Sequence, residues 1–194
     1  MVRISFGNNR AFLARIRWGA KAAELGSDQG GAAAVEFALF GSLLVLGLLN
    51  TVDVSIYLYR SMELDNATQM GVQTVWKTCD PSKGYLPATT SCPGLTSAIT
   101  TAIHGTSLGT QVSLQSGSPA ENYYCLDSSG SLQSVGAVTS APPSNCSSVG
   151  MANLQPSDYI KITTQFSYAP LFPGITVARL FPTTITKTAM MRLD

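Results

Sequence analysis

The chain has 194 residues with a net charge of +1, and only 12% of the residues are charged. This length suits one modest domain together with a membrane segment. The low and balanced charge excludes the strongly basic surface that is typical of nucleic-acid-binding proteins, so we expect no nucleic-acid partner.

Residues 1–31 form a basic N-terminal region, which we interpret as a leader. Its basic residues are Arg3, Arg10, Arg15, Arg17 and Lys21. Residues 10–25 could form a basic amphipathic helix on the inner membrane face or a disordered tail, and the sequence leaves both open. Between residues 61 and 160 the only lysine and arginine residues are Lys77 and Lys83. This asymmetry predicts a cytoplasmic N-terminus and an exported C-terminal domain.

Residues 32–56 are predicted to form a transmembrane helix. The apolar run from Ala32 to Val52 would be about 31 Å long as a helix, enough to cross a bilayer core of about 30 Å. Gly41, Ser42 and Gly47 lie within the run, and small residues permit close approach between membrane helices. Asp53 follows the run and is expected to mark the outer water interface.

The order of features around Gly31 is the reverse of a signal peptide, in which the apolar core precedes the small-residue cleavage site. A cut after Gly31 would remove the basic leader and keep the apolar helix. Such processing suits a subunit whose helix later packs among other helices. Two simpler interpretations stay open. In one, Gly31 is a flexible joint before an uncleaved anchor; in the other, Glu36 only complements the dipole at a helix N-terminus.

Residues 57–79 are predicted to continue the same helix outside the membrane. No proline occurs between Ala32 and Asp80, and apolar or small residues recur at helical spacing. These are Leu64, Ala67, Gly71, Val72 and Val75. The pattern predicts one helix of about 40 residues, ending near Trp76–Cys79, whose soluble half packs on the exported domain.

Residues 80–194 are predicted to form an α+β domain. Leucine and isoleucine spacing predicts a helix over 95–104 with Gly105 as its C-cap. Strands are predicted at 111–114, 122–126, 159–168 and 183–192, and residues 127–150 are predicted to be a loop. We expect these strands to form a small antiparallel sheet on the soluble half of the long helix.

All four cysteines follow the apolar run, on the side expected to be oxidising. They are Cys79, Cys92, Cys125 and Cys146. Three pairings are possible, and sequence proximity favours Cys79–Cys92 and Cys125–Cys146. A zinc site is disfavoured because there is no Cys-x-x-Cys pair and the only histidine is His104.

No catalytic, cofactor-binding or metal-binding residue is predicted. His104 is expected at a helix C-terminus, where a histidine suits the negative end of the dipole. Serine and threonine are abundant enough for a Ser-His-Asp set to arise by chance. We therefore do not expect an enzyme.

The segment around Gly31 resembles a prepilin processing site. The resemblance is closest to the TadE-like family of pseudopilins, which is associated with tight-adherence (Tad, or Flp-type) pili. It depends on Gly31, the alanine-rich start, Glu36 followed by Phe37, and the continuous apolar helix. Residues 64–67 resemble the family's segment just outside the membrane, and residues 185–192 resemble its closing strand. Residues 77–158 carry no recognised motif.

The resemblance implies a type IV pilin-like fold and a structural role in an inner membrane. A membrane-embedded aspartyl prepilin peptidase would cut between Gly31 and Ala32, and Glu36 would become mature position five. The new amine of Ala32 could pair with Glu36 of the same or a neighbouring subunit, which would favour one register between helices. Other pilin and pseudopilin subunits, an inner-membrane assembly platform and the lipid bilayer are the implied partners.

The resulting hypothesis is a minor pseudopilin, with a periplasmic domain, that initiates, primes or tips a Tad-type pilus used in surface adherence. A secretion-system pseudopilin is the first alternative. An uncleaved single-span anchor with a periplasmic binding or sensor domain is an alternative of another class, and a membrane-tethered enzyme is a third. Cleavage after Gly31 would separate the pseudopilins from the anchor.

Overall fold

The structure, a computed structural model, describes residues 29–194. The predicted basic helix over residues 10–25 lies outside this range. The chain divides into one unit that ends at Gly47 and a second unit from Leu48 to Asp194.

The long helix, α1, runs from Gln29 to Thr78 and has 50 residues. It is thus longer than the predicted 40 residues, and it begins at Gln29, before the predicted start at Ala32. Its last turn is extended by a hydrogen bond from the Cys79 N–H to the Val75 carbonyl (2.7 Å). Pro81 follows, and proline is poorly tolerated inside a helix.

Two shorter helices follow α1. Helix α2 spans Ala88–Ser91 and helix α3 spans Leu95–His104, with Gly105 at its C-cap, as predicted. Short 3-10 turns occur at Pro81–Lys83, Gly109–Gln111, Ser147–Val149 and Val177–Leu180.

Five antiparallel strands form one sheet. They are β1 (Val112–Leu114), β2 (Ala120–Leu126), β3 (Leu132–Ala137), β4 (Ser157–Ser167) and β5 (Thr184–Arg192). Strand β4 is central: β5 pairs with one of its edges, while β1 and β2 share the other edge, and β3 pairs with β2. The predicted α+β architecture with a small antiparallel sheet is confirmed.

The predicted loop over residues 127–150 was wrong in part, because it contains β3. Asp127 forms the turn that returns the chain to pair with β2. Its Oδ1 accepts hydrogen bonds from the N–H groups of Ser129 (2.8 Å) and Ser131 (2.9 Å). Gly130 adopts a positive φ of 79° in the same turn. The serine-rich composition concealed a hairpin whose turn depends on one aspartate side chain.

The hydrophobic core lies between the sheet, α3 and the second half of α1. The predicted stripe on α1 faces it: Leu64, Ala67 and Val75 are fully buried. Alternate residues of β4 also point into it, as the period-two pattern predicted. A hydrogen bond joins the two layers, because the hydroxyls of Thr68 on α1 and Thr164 on β4 are 2.6 Å apart and fully buried.

Gly71 sets the distance between α1 and α3. A Cβ at this position would lie 3.0 Å from Ile103 Cγ2 and 3.4 Å from Ile99 Cγ2. Such contacts are unusually tight, so a larger residue at position 71 would push Ile103 away by a few tenths of an ångström, whereas glycine lets α3 pack closely.

Both disulfides favoured by the sequence are present. Cys79–Cys92 joins the end of α1 to the segment after α2. Cys125–Cys146 ties β2 to the segment after β3. The described chain has no free cysteine.

Candidate functional site

The four residues of the predicted processing and register site lie together in the first turns of α1. Gly31, Ala32, Glu36 and Phe37 are all exposed, and Phe37 is 81% exposed. Ala32 and Glu36 are four residues apart, so they lie on the same side of the helix. Glu36 forms no hydrogen bond or ion pair with another described residue. The site therefore presents a carboxylate and a phenyl ring to the surroundings of the chain.

The glycines at positions 31 and 41 have a different environment from Gly71. A Cβ at Gly31 or Gly41 would meet no atom within 4 Å, and neither residue has a positive φ. Helix formation alone disfavours glycine by about 1 kcal/mol relative to alanine. The packing of the described chain therefore gives no reason for glycine at these two positions.

The apolar part of α1 could cross a membrane by its length and composition. Its large side chains are exposed, including Phe40 (68%) and Leu44 (69%). Exposed apolar patches of this size are rare on soluble monomers and mark membrane or protein contacts. The segment thus has the properties of a membrane helix or of a helix that other helices cover.

A polar clamp lies where the apolar run ends. The Asp53 carboxylate accepts hydrogen bonds from the N–H groups of Leu171 (2.9 Å) and Phe172 (3.3 Å) and from the Thr176 hydroxyl (2.6 Å). The Asn50 Oδ1 accepts a hydrogen bond from the Val177 N–H (2.8 Å). The proline-rich connection between β4 and β5 is thereby fastened to α1.

The clamp gives Asp53 a structural role that was not predicted. Its side chain is fully buried within its own unit. Burial of a carboxylate requires compensating hydrogen bonds, and the clamp supplies three. No local pattern around Asp53 indicates this role, since the partners lie more than 115 residues away.

Apolar side chains also line the outer face of α1 beyond the clamp. Leu58 (55%), Met62 (67%), Met70 (49%) and Trp76 (52%) are all exposed. Exposed polar residues, among them Asp65, Asn66 and Gln69, lie between them. Exposed apolar side chains of α1 therefore occur beyond the membrane-length segment.

Glu63 lies beside this outer face and ties α1 to the loop after α3. Its carboxylate accepts hydrogen bonds from Arg60 (3.0 Å) and from the Ser107 hydroxyl. Burial raises the pKa of Glu63, but the hydrogen bonds from Ser107, Tyr59 and Arg60 outweigh burial and hold that pKa below its ordinary value. Glu63 is thus a charged structural tie.

His104 ends α3, as predicted, and its Nε2 lies 3.1 Å from the Val112 carbonyl oxygen. This contact links the helix to the start of β1. Within residues 29–194, no three His, Cys, Asp or Glu side chains form a group that could hold a metal ion.

Comparison with known families gives one match. Residues 31–73 match the family model described as TadE-like protein. The matched range begins at the predicted processing site and continues through the apolar run and the clamp into the soluble half of α1. No curated protein and no solved structure matches the chain. The resemblance inferred from the sequence is confirmed: through residues 31–73 this chain is related to the TadE-like family, which indicates a protein associated with Tad pili.

Proposed function

We propose that the chain is a minor pseudopilin, processed between Gly31 and Ala32, that helps to initiate, prime or tip a Tad-type pilus. The N-terminus would be cytoplasmic, α1 would cross the inner membrane, and the disulfide-bonded domain would lie in the periplasm. The role is structural, as the family match suggests.

The observation that carries this proposal is that α1 keeps exposed apolar side chains beyond the membrane-length segment, including Leu58 and Met62. A membrane anchor needs an apolar surface only as far as the headgroups. An extended surface is expected if neighbouring helices cover α1 after it leaves the bilayer. Gly41, which the chain's own packing does not require, would permit close approach of such a helix.

From the clamp we infer that the membrane segment ends near Asn50, before the end at residue 56 that was predicted from the sequence. Asn50 and Asp53 bind the domain's own backbone through the hydrogen bonds described above. The connection they hold exposes Leu171, Ile175 and Leu180. We place these side chains near the outer headgroups, where apolar groups can enter the interface.

Glu36 would set the axial register in the assembled bundle. It is the only charged residue between Gly31 and Val52. A carboxylate near the centre of a membrane costs roughly 2.5–3.5 kcal/mol on insertion scales, and less near its edge, so it favours a cationic partner. The amine of a processed Ala32, on the same or a neighbouring subunit, would be that partner. The prepilin peptidase and the inner-membrane assembly platform are the remaining proposed partners.

Processing is tested by N-terminal sequencing and intact mass of the protein from native membranes. We expect a mature chain that begins at Ala32, and a full-length chain when Gly31→Leu blocks the cut. The matched control Gly30→Leu changes the preceding residue and should leave cleavage in place.

A second variant separates processing from assembly. Glu36→Gln keeps the side-chain size and removes the charge, so it should be cleaved normally but fail to co-purify with other pilus subunits. An uncut wild-type chain would contradict the proposal and favour the single-span anchor. Cleavage combined with recovery in a secretion machine would favour the secretion-system pseudopilin.

A further inference from the structure

An open cleft of about 410 Å³ lies at the end of the sheet where β2 and β4 pair. Its walls combine polar groups with the apolar rings of Pro143, Pro156 and Tyr123. Two carboxylate side chains, those of Asp158 and Asp194, also line it. The cleft is in the domain, remote in sequence from the residues of the proposed processing site, and it does not depend on the proposed function.

Strand register brings three polar residues to one face at this end of the sheet. Tyr123 pairs with Asp158, and Glu121 pairs with Ile160. Residues two apart on a strand share a face, so Glu121, Tyr123 and Asp158 lie on the face that carries the core. The core face thus ends in two neighbouring acidic side chains.

The Glu121 carboxylate is fully occupied by donors. It accepts hydrogen bonds from the Ala88 N–H (2.8 Å), the Thr89 N–H (2.6 Å) and the Thr89 hydroxyl (2.6 Å). Asp158 therefore adjoins a second acidic side chain whose two oxygens are already bound to donors.

Asp158 has no such compensation. Its side chain is only 6% exposed, and its Oδ1 is buried without a hydrogen-bond partner among the described residues. The nearest basic residue along β5, Arg192, is already paired with Asp194 (Nε–Oδ1, 2.9 Å). A buried carboxylate oxygen without a hydrogen-bond partner is unusual in a native protein and requires an explanation.

The electrostatics of the cleft agree with this description. Burial, the charge and hydrogen bond of Glu121, and the charge of Asp194 raise the pKa of Asp158 to about 7. A proton therefore stabilises the cleft near neutral pH, and another positive group could replace that proton.

We propose that this cleft binds an alkyl cation of the guanidinium or ammonium class, such as the end of an arginine or lysine side chain, through Asp158. The carboxylate of Asp158 would accept hydrogen bonds from the cation, and the Tyr123 ring would stack on it. The proline rings would contact the methylene stem.

The cleft's size and donor set favour an organic cation over a metal ion. A calcium ion takes six to eight oxygen ligands, and the described residues hold no group of three suitable side chains. A volume of about 410 Å³ far exceeds that of a bare ion. It suits a side chain several atoms long.

Close packing holds one wall of the cleft in place. A Cβ at Gly136 on β3 would lie 3.3 Å from Pro143 Cγ and 3.8 Å from Tyr123 Cδ2. Glycine at this position thus allows Pro143 to pack directly on the strand beside Tyr123. The wall is formed before any ligand arrives, as in most ligand sites.

The test is a titration of the detergent-solubilised full chain at pH 8 with N-acetyl-arginine amide, followed by the backbone amide signals in NMR. We expect saturable shifts at Gly136, Thr89 and Asp158. Binding should weaken at least tenfold at pH 5.5, because Asp158 is then protonated. N-acetyl-citrulline amide, the neutral analogue, should produce no saturable shift.

Asp158→Asn should weaken binding at least tenfold while the spectrum stays that of a folded protein. The matched control Asp127→Asn changes an exposed carboxylate of the β2–β3 hairpin and should leave binding unchanged. Tyr123→Leu keeps the carboxylates and should weaken binding severalfold, which provides a second independent check. The proposal is overturned if arginine amide gives no saturable shift, if citrulline amide binds equally well, or if calcium ions alone saturate the same signals.

Discussion

The buried contact between Thr68 and Thr164 is the most specific link between the long helix and the sheet, and the two hydroxyls are not equivalent. The Thr68 hydroxyl also donates to the Leu64 carbonyl (2.7 Å), whereas the Thr164 hydroxyl has no second partner among residues 29–194. We therefore predict an asymmetric response to replacement of each threonine by valine, which has nearly the same shape.

Thr68→Val should lower the free energy of unfolding by about 1–3 kcal/mol, because it leaves the Thr164 hydroxyl buried without a partner. Thr164→Val should cost less, about 0.5–1.5 kcal/mol, since Thr68 retains its bond to Leu64. The double variant buries neither hydroxyl and should lie within about 1 kcal/mol of the wild type. The two changes are thus expected to be strongly non-additive.

The assay is guanidinium denaturation of the detergent-solubilised, disulfide-bonded chain, followed by near-ultraviolet circular dichroism. Equal costs for the two single variants, together with a double variant equal to their sum, would refute the proposed hydrogen bond. Such a result would also contradict the packing of Thr68 on α1 directly against Thr164 on β4.

Three further predictions follow from single sites. Gly71→Ala should destabilise the domain by about 1 kcal/mol, because crowding against Ile103 exceeds the gain in helix propensity, and Gly41→Ala should cause no loss in the same thermal melt. The unfolding free energy should fall as pH rises from about 4 to about 7. Native Asp158, with its pKa of about 7, holds a proton in this range that the unfolded chain releases. Asp158→Asn should flatten this part of the pH profile. Hydrogen bonds from Ser129, Ser131 and Gln133 lower the pKa of Asp127 to about 2. The contribution of Asp127 to stability should therefore be present above pH 4 and lost as pH falls towards 2. Asp127→Asn should remove this acid dependence in thermal melts measured across the pH range.

Local patterns in the sequence predicted most of the fold. Apolar spacing identified α3 and the buried stripe of α1, and strict alternation identified β4, because each of these elements buries one regular face. Strand β3 was not predicted, because its residues are small and polar and its turn depends on the side chain of Asp127. The strand propensities of the individual residues do not predict such a turn.

The candidate sites differ in how far apart their residues lie in the sequence, and this decided which of them could be predicted. Gly31, Glu36 and the apolar run form one continuous segment, so the order of their residues was informative without a structure. The Asp53 clamp and the Asp158 cleft join residues distant in sequence, and only the strand register and the folded connection bring their partners together. A single carboxylate in a sequence does not reveal whether water, a backbone amide or another carboxylate surrounds it.

The central claim is that the exposed face of α1 packs against other pilus subunits. It is tested most directly by placing a photo-crosslinking amino acid at Leu44 and at Met62 in the native host, with Leu126 on β2 as an exposed control outside the helix. The account predicts crosslinks to pilin or pseudopilin subunits from both helix positions, and their loss in the Glu36→Gln variant. Crosslinks from Leu44 to lipid alone, with none from Met62 in a folded and processed chain, would contradict it.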